Sequence, residues 1–222
     1  MNLSSDTIKI LQNFSDINQN ILVNQGQKKL TTISTMKNIL AEAEIAESFD
    51  QEFAIYDLPE FLRSMDLFEK PKLNFNSGSN VVIADENSKQ TVKYFFADKS
   101  VIVSPTKTID MPDSFVSFRF KKEMFEKLIK GYTTLNLPDV AVVGDGSTIK
   151  MIATDKKNKS SNSYTVDITE SDKVFTAYFK AENFKLIDDD YDVVISSKKI
   201  SHFVNRSKPV QYWIALEQDS TF

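Results

Sequence analysis

Apolar positions along the chain recur in two rhythms, and the switches between them mark short helices among many short strands. Helical spacing comes first: Leu3, Ile8, Leu11 and Phe14 predict a helix over residues 4–14, with Ser4 or Ser5 as its cap and Asp6 in its first turn. A second helix starts at Asp57. Asp57 is the cap, Pro59 sits in the first turn, Glu60 follows three residues on, and Leu58, Phe61, Leu62 and Met65 form the buried stripe. A third is predicted over 121–131 from Met124, Phe125, Leu128 and Ile129, with Gly131 as its stop, and a fourth over 180–187. Runs of strand character fill the intervals: 21–23, 28–33, 39–43 and 49–56, then 72–75, 80–85 and 91–96. The second half adds 115–120, 139–143, 148–154, 164–169, 174–179, 191–196, 202–205 and 210–216. Asn-Gln-Gly at 24–26 suits a hairpin, and Asn-Ser-Gly-Ser at 76–79 and Gly-Asp-Gly-Ser at 144–147 are further turns.

The helices are copies of one pattern. It begins at Leu3, Tyr56, Phe120 and Phe179, starts that lie 53, 64 and 59 residues apart. Each copy places an acid three or four positions after its start, ahead of an apolar stripe. A period of this size marks one supersecondary unit used four times. Residues 98–113, DKSVIVSPTKTIDMPD, break the rhythm with two prolines and no clean period. The expected organisation is a domain over 1–98, a connector over 99–113 and a second domain over 114–222. Each half, with two helices on one face of antiparallel sheets, is an α+β fold.

Charge and composition narrow the chemistry. Cysteine is absent, which excludes disulfides and thiolate metal sites, and the single histidine, His202, would have to centre any Ser-His-Asp triad. No apolar run reaches the roughly 20 residues a membrane span needs, and the N-terminus lacks a signal-peptide pattern, so a cytoplasmic location without membrane attachment is expected. The net charge of −4 comes entirely from residues 1–111, with 11 cationic and 15 acidic side chains, against 16 and 16 in the remainder. Such a chain meets nucleic acid only if its cations are concentrated on one surface.

Several runs resemble one family. Ala54-Ile55-Tyr56-Asp57-Leu58 with Phe61-Leu62 resembles the strand-to-helix junction of the sliding clamps of T-even-type bacteriophages. Ile83-Ala84-Asp85 with Phe95-Phe96-Ala97-Asp98 resembles that family's run into its connector, and the C-terminal YWIALEQDST at 212–221 resembles its ending. Leu3-Ser4, Asp6-Thr7, Asn13-Phe14 and Ile17-Asn18 match as well, so the resemblance runs the whole length in order. It implies a DNA-clamp fold of two similar domains. It also implies a homotrimeric ring around duplex DNA, a tether for the replicative polymerase, an ATP-driven clamp loader, no cofactor and no enzymatic activity. The setting would be the cytoplasm of an infected host cell.

A sliding tether contacts phosphates without reading bases. The DNA-facing candidates are Lys9, Arg63, Lys121, Lys122, Lys127, Lys130, Lys180 and Lys185. The third helix is the most basic; the second is compromised by Asp57, Glu60, Asp66 and Glu69. On spacing alone these lysines equally suit an ordinary solvated helix face. The resemblance also implies a partner-peptide pocket, for which Ile102, Val103, Pro105, Ile109, Trp213, Ala215 and Leu216 are the candidates; packing of the connector is the competing use. It implies subunit contacts between an edge near 91–96 and one near 164–169 of the next copy.

A rival reading is a metal-dependent nuclease or phosphoesterase built on Asp188, Asp189, Asp190 and Asp192, although acidic turns at such positions are common. Another is a structural phage ring without a DNA role. Gly144-Asp145-Gly146-Ser147 lacks the Gly-Lys-Ser/Thr ending of a phosphate loop.

Overall fold

A computed structural model describes residues 1–85 and 89–222, which divide into two compact units, Met1–Lys107 and Thr108–Phe222. The division falls inside the expected connector.

In the first unit, helix α1 (Ser5–Ile17) is capped by Ser4, whose side chain accepts from the Thr7 backbone N–H. Its buried stripe is Thr7, Ile10, Leu11, Phe14 and Ile17. The stripe is thus turned from the expected one: Ile8 and Leu3 are only half-buried, while Ile10 and Ile17 point inward. The far carboxylate of Glu47 also anchors this end, accepting from the Ser4 N–H and the Thr7 hydroxyl. Strands β1 (Ile21–Val23), β2 (Lys29–Ile33), β3 (Ile39–Glu44) and β4 (Phe53–Ile55) follow. The 24–26 turn does not close a hairpin. β1 pairs antiparallel with β4, placing Ile21 opposite Ile55, whereas β2 pairs with β3. Gly26, at φ +71°, lets the chain turn between the two pairs.

Helix α2 (Leu58–Met65) has the expected cap, with Asp57 accepting from the Glu60 N–H at 2.8 Å, and buries Leu58, Phe61, Leu62 and Met65. Strands β5 (Lys72–Ser77), β6 (Asn80–Ala84) and β7 (Thr91–Phe95) form an antiparallel sheet in that order, so β7 is an edge. The core gathers Phe14, Ile21, Leu30, Ile55, Leu58 and Leu73. Phe49 and Phe53 meet edge to face at 5.2 Å, and Phe53 stacks on Phe96 at 5.0 Å.

The second unit opens with β8 (Val116–Phe120) and helix α3 (Lys122–Leu135). Gly131 is not a stop. It lies inside the helix and is buried, and the helix runs on to a left-handed cap at Asn136, φ 51°. Met124 and Ile129 are half-buried on the flanks of Phe125 and Leu128. Strands β9 (Asp139–Asp145), β10 (Thr148–Thr154), β11 (Tyr164–Glu170) and β12 (Val174–Lys180) make a sheet ordered β11-β10-β9-β12. The tight turn between β9 and β10 uses Gly146 at φ +85°. There Asp145 accepts from the Ser147 and Thr148 N–H groups, and these hydrogen bonds hold its carboxyl down at about 2. Strands β13 (Tyr191–Ile195), β14 (Ile200–Asn205) and β15 (Val210–Ala215) complete a run in which β8, β13, β14 and β15 are successive neighbours.

The expected fourth helix is absent. Residues 181–183 form a single 3-10 turn, and the chain then runs irregularly to β13. Two tyrosines hold the segment in another way. The Ile187 N–H, a donor the helix would have used, goes to the Tyr212 hydroxyl at 3.3 Å, and the Ile187 carbonyl accepts from the Tyr191 hydroxyl at 2.5 Å. Asp188, Asp189 and Asp190 would also have stood at the negative end of that helix's dipole. Phe184 and Leu186 remain buried, so the repeat keeps its anchors without its helix.

Candidate nucleic-acid interface

The candidate cations separate by what already holds them. Lys9 on α1, Arg63 on α2, and Lys121, Lys127 and Lys130 at or on α3 are exposed. None of these five takes part in an ion pair among the described residues. Their placement follows from the stripes beneath them. At about 100° per residue, Lys130 stands nearly opposite the buried Phe125 and Leu128. Arg63 likewise stands far from the inward stripe of α2.

The other three are positioned differently. Lys122 is exposed but ion-paired with Asp188 at 2.8 Å and more loosely with Glu126 at 3.7 Å. The Asp188 hydrogen bond, foremost among these interactions, raises its pKa. Lys180 belongs to β12, and its ammonium sits 2.7 Å from the carboxylate of Asp139, which is 1% exposed. The hydrogen bond to Asp139 raises the lysine's pKa. Lys180 therefore neutralises an interior acid and presents no free charge. Lys185 lies half-buried in the irregular segment that replaces the fourth helix.

The apolar candidates divide by unit. In the first, Ile102, Val103 and Pro105 are half-buried. Val103 is tied down on both sides: its N–H donates to Asn20 Oδ1 at 3.0 Å, and its carbonyl accepts from Asn18 Nδ2 at 3.0 Å. In the second, Trp213 and Leu216 are buried, Ile109 is half-buried and Ala215 is exposed. Trp213 stacks on His202 with ring centroids 4.6 Å apart and planes 8° apart, which accounts for the lone histidine without catalysis.

The acidic run 188–192 is a set of ion pairs. Asp188 meets Lys122, Asp189 meets Lys208 at 3.4 Å, Asp190 meets Arg119 at 2.5 Å and Asp192 meets Arg206 at 2.5 Å. Among the described residues, no three acidic or histidine side chains group in a way that would hold a metal ion. Nothing favours the nuclease reading. Among the same residues, no helix is long and apolar enough to cross a membrane.

One feature escaped sequence reasoning. A groove of about 480 Å³ lies between α2 and β7, lined by Tyr56, Asp57, Glu60, Ser64 and residues 92–95. Tyr56 and Phe95 stand 63% and 62% exposed beside it. The Tyr94 hydroxyl donates to the Asp57 carbonyl at 3.0 Å and lies 3.5 Å from Glu60 Oε2. Burial, with the neighbouring acids, pushes that phenol up to about 12. Exposed aromatics beside acids were the available signal, but the acids read only as a defect of α2.

Comparison with known proteins agrees along the whole length. Residues 4–104 match the family of DNA polymerase processivity factors, and residues 117–218 match the C-terminal domain of the gp45 sliding clamp. The chain is 33% identical over 224 residues to the sliding clamp of Vibrio phage KVP40, covering 98% of this chain and 99% of that one. It is 33% identical to the sliding clamp of Escherichia phage RB69, covering 100% and 99%. In fold it is similar to the proliferating cellular nuclear antigen of Entamoeba histolytica, with a TM-score of 0.68, 13% identity and coverage of 95% and 94%. With two family domains in order and relatives matched end to end, the chain belongs to the sliding clamps of T4-like bacteriophages, processivity factors of DNA polymerase that catalyse no reaction themselves.

Proposed function

We propose that three copies of this chain close into a ring that encircles duplex DNA and tethers the replicative polymerase, after an ATP-driven loader has opened it. The observation that carries this reading is the set of exposed cations, without ion pairs among the described residues, on three helices of a chain whose net charge is −4. Lys9, Arg63, Lys121 and Lys130 meet phosphates; Lys122 contributes more weakly because Asp188 holds it. Contacts of this kind are sequence-blind and weakened by salt, so the duplex slides while closure of the ring retains it. The domains are residues 1–98 and 114–222, joined through 99–113. The half-exposed connector side chains Ile102, Val103 and Pro105 receive apolar segments of polymerase and loader; the buried Trp213 and Leu216 serve packing instead.

Solution mass together with loader-dependent retention tests the reading. Three chain masses, and retention on circular DNA that disappears when the circle is cut, are the expected results. A monomer at every concentration, or equal retention on linear DNA, overturns it.

A further inference from the structure

We propose that Asn18 and Asn20, at the end of α1, are positioning residues for the connector. They hold its backbone at Val103 so that it captures an apolar segment of a partner through side chains, without main-chain pairing. This role rests on the connector receiving polymerase and loader, as proposed above.

α1 ends where Asn18 turns to extended backbone, φ −147° and ψ 131°, its N–H still donating to the Phe14 carbonyl at 2.9 Å. The residue is 3% exposed. Its Oδ1 accepts from the Asn20 N–H at 3.1 Å, an Asx turn that redirects the chain. Its Nδ2 donates to two carbonyls, that of Ile33 at the end of β2 at 2.9 Å and that of Val103 at 3.0 Å. Both donors and an acceptor of the amide are committed, so the side chain cannot rotate without leaving a buried polar group unpaired. Asn20 grips from the other side, its Oδ1 accepting from the Val103 N–H at 3.0 Å. Two side chains from one turn thus hold both backbone groups of a residue 85 and 83 positions away.

Val103 closes a run of committed donors. The Ser100 N–H donates to the Asp98 carboxylate at 2.8 Å. The Val101 and Ile102 N–H groups donate to the Asp98 and Lys99 carbonyls, each at 3.2 Å, around the 3-10 turn Lys99–Val101. A peptide added as a strand needs both the N–H and the C=O of alternate residues. Neither register is open over residues 100–103. In one, Val101 has spent its N–H and Val103 both groups; in the other, Ser100 and Ile102 have spent theirs. Pro105 brings no N–H at all. What the segment can offer is side chains: Val101 is exposed, and Ile102, Val103 and Pro105 are half-buried. Backbone fixed before a partner arrives has little freedom left to lose on binding. The two amides differ in chemistry. Asn20 serves Val103 as an acceptor, so a carboxylate can replace it. Asn18 serves as a donor, so a carboxylate there would face two carbonyl oxygens.

The full chain and the replicative polymerase encoded with it supply the test. Asn20→Ala should speed exchange of the Val103 amide hydrogen and weaken polymerase binding, each about fivefold, the worth of one hydrogen bond. Asn20→Asp should keep both near the wild-type values. Solution mass and binding to short duplexes should not move in either variant, which a general loss of fold would not allow. Asn18→Asp should impair polymerase binding although the chemical change is the same; a fully active Asn18→Asp chain overturns the donor role. Polymerase affinity unchanged or raised in Asn20→Ala means that the partner does without this anchor or uses the freed N–H itself, and overturns the proposal. Ile102→Ser with Pro105→Ser separates the two readings. If that chain binds polymerase normally, the connector reading falls; if it binds weakly while Asn20→Ala binds normally, only the role of the asparagines falls.

Discussion

Gly131 and Tyr164 touch so closely that no side chain fits between them: a Cβ added to Gly131 would lie 2.3 Å from Tyr164 Cδ1. A helix-interior glycine ordinarily costs stability, and here that cost buys direct seating of α3 on β11. Gly131→Val should lower stability by about 2 kcal/mol, since overpacking costs about 1–3 and little helix propensity is returned. Urea denaturation measures it. Tyr164→Ala in the same chain should lessen the loss due to valine, and strictly additive effects would show that the two residues do not meet.

Lys180 should act on stability and not on DNA. Removing its ammonium leaves the carboxylate of Asp139, 1% exposed, with only the Lys156 N–H at 3.2 Å among the described residues. Because Lys180 itself is 30% exposed, the loss on Lys180→Ala is placed at about 2–3 kcal/mol, below that of a fully buried pair. Thermal melts check this, and Asp139→Asn with Lys180→Met should recover part of it. Unchanged stability with weakened DNA association would reinstate Lys180 as a phosphate contact.

Lys130→Glu and Arg63→Glu should weaken association with short duplexes without altering assembly. Removing one cation from the phosphate backbone should reduce the slope of log affinity against log salt by about 1. Fluorescence anisotropy across a salt series gives that slope. An unaltered slope in both variants would mean that these side chains face solvent only.

Glu47 makes the start of α1 sensitive to acid. Burial alone would raise its pKa, but hydrogen bonds from Thr7 and Ser4 outweigh that and lower it from the ordinary 4.5. A carboxylate lowered in the folded chain stabilises fully above the unfolded value, and the contribution fades as pH falls through the folded one. Glu47→Gln should therefore cost about 1 kcal/mol at neutral pH and progressively less below the ordinary glutamate range, the half-buried setting keeping the figure modest. Urea midpoints at several pH values test it; a pH-independent penalty would assign the effect to shape alone.

Most strands were legible because their apolar alternation is local, and α2 because its cap, proline and stripe lie within nine residues. The misreadings share one cause, which is contact between residues far apart in sequence. Gly131 reads as a stop until Tyr164, 33 positions later, is seen to require it. Residues 180–187 read as a helix until Tyr191 and Tyr212 are seen to take the Ile187 backbone. Lys180 reads as a free cation because Asp139 lies 41 positions away. Among the site residues, charge was readable, but the side of the helix bearing it depended on which flank met a sheet edge.

The 3-10 turn at 181–183 bears on symmetry. Four equal repeats in each of three copies would give a wall with six equivalent sectors. With three α-helices per copy among the described residues, the ring of three proposed above would carry nine ribs, two from each first unit and one from each second. A duplex turning as it advances would meet a corrugation of threefold order, shallower where the fourth repeat has flattened, so its preferred resting positions would number three rather than six.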